Sequence, residues 1–101
     1  MPHIIRTASA LRDIDGIWDY IAIKNHNPDA ADRLVDKIDE TLRLLVSQPL
    51  MSESVEHLRP HTRRCIVHNH YLLFYDTLGD DIRLLRVLHA ARVIRPEDLR
   101  E

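Results

Sequence analysis

The apolar residues of this chain change their period once along its length, and that change constrains the architecture more than any motif does. From Leu11 to Val46 they recur every three or four residues, the spacing of one helix face. From Arg63 onward they fall instead into short runs rich in Ile, Val, Leu, Phe and Tyr, which suit strands. A chain written this way predicts helices first and a sheet second. Ahead of both, "HIIR" reads as a short extended segment that stops at Thr7, a residue suited to cap a helix N-terminus.

The first helix carries Leu11, Ile14, Ile17, Trp18 and Ile21 on one predicted buried face, with Arg12, Asp13, Asp15 and Asp19 pointing elsewhere. Gly16 in its middle weakens it by about 1 kcal/mol relative to alanine, which suggests the close approach of a neighbouring element. "NHNPDAADRL" restarts a helix with Asn27 as cap, Pro28 in the first helical position and Asp29 in the electropositive first turn. Ala31, Leu34, Val35, Ile38, Leu42, Leu45 and Val46 hold the period until Pro49 ends it. So short a connection folds the two helices into an antiparallel hairpin.

Leu50 to Pro60 shows no period and reads as a surface connection. Beyond it, "RRCIVH", "YLLFYD" and "DIRLLRVLH" predict three antiparallel strands, joined by tight turns at "NH" and "TLGD". The expectation is an α+β fold in the order β-α-α-β-β-β, a helical hairpin packed on a small antiparallel sheet, as a single domain over residues 1–101. The second and third runs are apolar on nearly every residue, more than a sheet covered on one face requires. Either the second face is a concave, partly apolar surface open to a partner, or the tail "VIRPEDL" folds back over it. The open surface is the expectation carried forward.

Charge is distributed unevenly. The formal net charge is −2, yet between His57 and Arg95 seven arginines face three aspartates, and five of the seven histidines lie in the same stretch. Twelve of the fourteen basic residues are arginine, whose forked guanidinium suits recognition of carboxylates and phosphates. Arg63, Arg64, Arg86, His89, Arg92 and Arg95 are therefore the candidate binding residues. His89 could serve as a proton carrier or simply bond backbone at the strand end. The histidines at 57, 61, 68 and 70 lack the cysteine partners usual in structural zinc sites, so no metal and no cofactor is assigned. Phosphate loops, nucleophile elbows and HExxH are absent. Cys65 stands alone and reads as a small core residue, and with no apolar leader or membrane-length run the chain is expected in the cytoplasm.

Taken in order, "ALRDIDGIWDYIA", "NPDAADRLVDKI", "YLLFYD" and "IRLLRVLHAAR" resemble the RelE/ParE superfamily of bacterial toxin–antitoxin toxins, most closely its ParE-like branch. The resemblance implies a small toxin neutralised by a cognate antitoxin whose C-terminal segment wraps it. RelE-like relatives look like ribosome-dependent messenger-RNA interferases. Here such chemistry would fall to His89, Arg64 and Arg92, but there is no lysine after Lys37 and no tyrosine after Tyr75 to complete the usual set. The ParE-like reading implies inhibition of DNA gyrase by binding, without hydrolysis and without sequence-specific DNA contacts of the toxin's own. His89 and Arg92 then become a strand-end anchor within a recognition surface. A non-toxic, peptide-binding relic of the fold is the remaining alternative.

Overall fold

The change of period is borne out in the computed structural model, which describes residues 2–100. Strand β1 (Ile4–Arg6) leads into helix α1 (Ala8–Asp19), which continues through a π-helical turn (Tyr20–Lys24) before helix α2 (Pro28–Ser47). Four more strands follow: β2 (Glu53–Ser54), β3 (Arg63–Val67), β4 (Tyr71–Leu78) and β5 (Asp81–His89), with a 3₁₀ turn at Pro96–Leu99. The helix starts are those the caps dictate. The Thr7 hydroxyl accepts from the Ala10 N–H at 3.1 Å, and the Asn27 side chain accepts from Ala30 at 3.2 Å with Pro28 in the first turn. The interhelix connection is closed by the Trp18 indole, which donates to Asp32 at 2.9 Å.

The sheet is larger than three strands. Its order is β1-β5-β4-β3-β2, antiparallel except where β1 runs parallel to β5, with Ile4, Ile5 and Arg6 beside Ile82, Arg83 and Leu84. The segment read as an irregular connection supplies β2, which pairs with Arg63 and Arg64, and it buries Val55. Hairpin hand is set by positive φ at His68 and Asn69 in one turn and at Gly79 in the other, the conformation such turns require.

Both helices lie on one side of the sheet. Ala10, Leu34, Ile38, Leu42 and Leu45 pack against Val67, Leu73, Tyr75, Ile82, Leu84 and Val87. Ile14, Ile17 and Ile21 join them as expected, but Leu11 stays 48% exposed, because α1 rides at the rim of the sheet and buries a narrower stripe than its period allows. The π turn inserts a residue into the helical phase, so that Ala22 is buried while Tyr20 and Ile23 stand 54% and 64% exposed.

The second face of the sheet is not the open surface expected from the sequence. Val55, Leu72, Phe74 and Leu88 form a second core with Leu99, and Leu58 and Ile94 pack against it. The tail is held there by polar bonds. Asp98 accepts from Arg92 at 2.7 Å and from the Arg95 backbone at 2.9 Å, while its carbonyl accepts from Arg86 at 2.9 Å. The strand runs are apolar on alternate residues in both phases because a second, smaller layer covers the far face. Among the described residues no helix is long and apolar enough to cross a membrane.

Candidate functional site

The last strand gives up alternation because it contains a bulge. Tyr75 pairs with Leu84 and Phe74 with Arg86, leaving Leu85 as the extra residue. Arg83 and Arg86, three apart in sequence, thereby both face the tail side, and Leu84 and Val87 both face the helices. His89 lies opposite Tyr71 on the helix side. That placement decides which of the candidate residues can meet.

Most of the arginines are committed within the fold. On the tail side the Asp76 carboxylate, 6% exposed, receives two bonds from Arg83 at 2.9 and 2.6 Å and one from Arg59 at 3.0 Å. Burial disfavours the charged form of Asp76, but the bonds from Arg83 and Arg59 outweigh it and hold the carboxyl below its ordinary range. Arg64 faces the same side and donates to Glu53 at 2.8 Å. Arg63 faces the helix side and donates to the Ser52 carbonyl at 2.6 Å, beside the Tyr75 hydroxyl, which bonds Ser52 and donates to the Pro49 carbonyl. These bonds fasten the connection from Pro49 to Thr62 onto the sheet. Of the candidate binding residues, Arg63 and Arg64 lie on opposite faces of the sheet, and Arg86 and the Arg95 backbone brace the tail.

Arg86, Arg92 and Arg95 meet at Asp98, and His89 and Arg92 share a groove between α1 and the end of β5. β1 pairs with β5 only as far as Leu84, so the outer edge of β5 beyond it faces α1. Two side chains of the first helix region close that edge. The Thr7 hydroxyl donates to the Leu85 carbonyl at 2.9 Å, and the Asp13 carboxylate accepts from the Val87 N–H at 3.0 Å while receiving Arg86 in two bonds of 2.6 and 3.0 Å. The hydrogen bonds to Asp13 raise the already high pKa of Arg86, so its guanidinium stays charged.

Beyond these closures a groove of about 510 Å³ remains. Gly16, Ile17 and Tyr20 of α1 and its π turn form one wall, and Tyr71, Val87, Leu88 and His89 the other, with Arg12 and Arg92 at the rim. The His89 ring meets Tyr71 edge-on at 5.4 Å and stacks beside His70 at 6.2 Å. Its Nδ1 accepts from the Ala91 N–H at 3.0 Å, which orients the ring and leaves Nε2 pointing away from that bond. An alanine methyl at Gly16 would meet no atom within 4 Å, so the close approach inferred from the sequence is not what Gly16 serves; it borders open space. Asp13, Gly16, Tyr20 and Tyr71 were not legible as site residues, because their meeting depends on α1 lying along the free edge of a strand more than sixty residues away.

Cys65 packs against the helix-side core, and burial pushes its thiol up to about 11, which suits an inert residue rather than a nucleophile. Among the described residues no group of three or more His, Cys, Asp or Glu converges in a way that would hold a metal.

A helical hairpin on a five-stranded mixed sheet defines a small α+β fold, and it is shared with a solved toxin–antitoxin protein. A chain of the structure titled "Chromosomal ParDE TA system from P. aeruginosa" superposes with a TM-score of 0.70 at 24% sequence identity, covering 88% of this chain and 96% of that one. No curated protein matches in sequence. A family model described as "ParE toxin of type II toxin-antitoxin system, parDE" matches residues 4–94. The chain belongs to the ParE toxin family of type II toxin–antitoxin systems.

Proposed function

We propose that this chain is a cytoplasmic toxin that arrests growth by binding DNA gyrase, without cutting nucleic acid, and that a cognate antitoxin holds it inactive by binding through its C-terminal segment. One observation favours a binder over a ribonuclease. His89, the candidate general base, lies on the helix side of the sheet with its Nδ1 lone pair engaged by the Ala91 N–H, whereas Arg64 lies on the tail side and is paired with Glu53. Cleavage of a phosphodiester needs base and cation within hydrogen-bond reach of the same reacting group, and a sheet stands between these two. Arg92, the third member of a ribonuclease set, is engaged by Asp98.

The test is a supercoiling assay with purified gyrase and purified toxin, run with and without the antitoxin encoded beside it. The expected result is inhibition that the antitoxin relieves, with translated messages intact by primer extension in cells expressing the toxin. Cuts in those messages that vanish in His89→Ala would instead make the protein an interferase. Normal growth on expression without antitoxin would make it a peptide-binding relic.

A further inference from the structure

At the end of β4 away from His89, strands β2, β3 and β4 run side by side. Ser54 pairs with Arg63 and Arg63 with Tyr75, so one rung carries all three side chains on the helix side, and Thr77 follows two residues later on the same face. These residues line a cavity of about 210 Å³ whose wall also includes the acids Glu56 and Asp76. Drug-sized ligands occupy pockets of about 300 Å³ or more, so the space suits a single small group rather than a whole nucleotide.

The donors around this cavity are not used up by the fold. Arg63 donates through Nη1 alone, to the Ser52 carbonyl at 2.6 Å and to the Leu50 carbonyl at 3.4 Å. Among the described residues its Nε and Nη2 have no partner, and neither do the hydroxyls of Ser54 and Thr77. Nε and Nη2 form the edge of a guanidinium whose parallel N–H groups grip a carboxylate or phosphate as a fork. The acids in the wall do not take that edge. Asp76 is held by Arg59 and Arg83, and Glu56 accepts from the His61 backbone N–H at 2.9 Å.

We infer that this cavity binds a small oxyanion, the phosphate or carboxylate group of a low-molecular-weight ligand, gripped by Nε and Nη2 of Arg63 and by the hydroxyls of Ser54 and Thr77. Such a group bridges β2, β3 and β4. Because Arg63 also fastens the Ser52 carbonyl, occupancy ties the connection after α2 to the sheet and stabilises the folded chain by mass action. The inference is independent of the toxin–antitoxin reading.

The test is a titration of the full chain with inorganic phosphate and, separately, with acetate, each against sodium chloride of equal ionic strength, followed by amide NMR shifts and by thermal melting. Saturable shifts at Ser54, Arg63 and Thr77 and a raised melting temperature are expected with at least one anion, and the one that binds identifies the group as phosphoryl or carboxylate. Arg63→Lys, which keeps the charge but removes the fork, should weaken binding about tenfold. Thr77→Val, at an exposed position, should weaken it about threefold and decides the matter if Arg63→Lys fails to fold by circular dichroism. Glu56→Gln removes a repelling charge and should strengthen binding, whereas Arg12→Ala, outside the cavity, should leave it unchanged. The proposal is overturned if neither anion binds beyond the chloride control, or if Thr77→Val and a folded Arg63→Lys both bind as the parent does. An equal loss in Arg12→Ala would reduce the effect to diffuse surface charge, and weaker binding in Glu56→Gln would make the cavity a cation site; either result also overturns it.

Discussion

The Asp76 cluster and the Gly16 groove use the same residue type to opposite ends. Around Asp76 two guanidinium groups converge on one buried carboxylate and bind the connection after α2 to the tail side of the sheet. Around Gly16, Arg12 stands at the rim of an apolar trough and donates to Ser9, while Arg92 beside it is paired with Asp98. In the first place every charge is matched within the fold and serves stability; in the second, Arg92 is matched by Asp98 and Arg12 meets a serine rather than a carboxylate. A run of arginines therefore says little about recognition until each one's partner is known.

Substitutions can break the comparison at either end. The largest effect is expected on the tail side: Leu99→Ala empties a fully buried position between Val55, Phe74 and Leu88 and should cost about 3 kcal/mol in urea unfolding. A loss under about 0.5 kcal/mol would mean that the tail is not docked in solution. Next comes Asp76→Ala, which removes the shared acceptor of Arg59 and Arg83 and should cost about 2 kcal/mol at neutral pH, less than a fully enclosed pair because both arginines are partly exposed.

The Asp76 effect has a defined pH dependence. Its carboxyl titrates lower in the folded chain than in the unfolded one, so its contribution is complete above the unfolded value of about 4 and is lost as pH falls through the folded value. The stability difference between parent and Asp76→Ala should accordingly shrink in acid, and a difference that persisted unchanged to pH 2 would contradict the ion-pair account.

At the groove the signs change. Gly16→Ala should stabilise the chain by up to about 1 kcal/mol, a rise of roughly 4–8 °C in melting temperature, because helix propensity improves and nothing is crowded. Arg12→Ala should change stability least, by under about 0.5 kcal/mol, since its side chain donates only to Ser9 on the helix surface. A large loss from Arg12→Ala would place it with Asp76 as a structural residue and erase the contrast.

Much of the frame was legible from the chain. Thr7, Asn27 and Pro28 signal helix starts through local hydrogen bonding, and Ala31 to Leu45 signal their face through spacing alone. The failures all involve distant partners. Leu11 fits the helical period but is exposed, because the rim position of α1 limits the width of its buried stripe. "RLLRVLH" hid a bulge at Leu85, so neither the shared face of Arg83 and Arg86 nor the side occupied by His89 was readable from alternation. His89 and Arg92 line one groove, whereas Arg12 and Gly16, which complete its surroundings, lie on an element remote in sequence.

What the sequence by itself determined is the local grammar: helix limits, the order of the first strand, the two helices and the three longer strands, and two strand runs apolar on nearly every residue. Those follow from interactions spanning a few residues, in which caps, turns and periodicity are complete without a partner. Only the tertiary structure decided that the tail covers the second face and that Asp13 and Thr7 close the free edge of β5. It also decided that a groove opens beside Gly16. Each of these depends on burying apolar area, or satisfying a backbone group, with residues far along the chain, and such pairings leave no trace in local spacing.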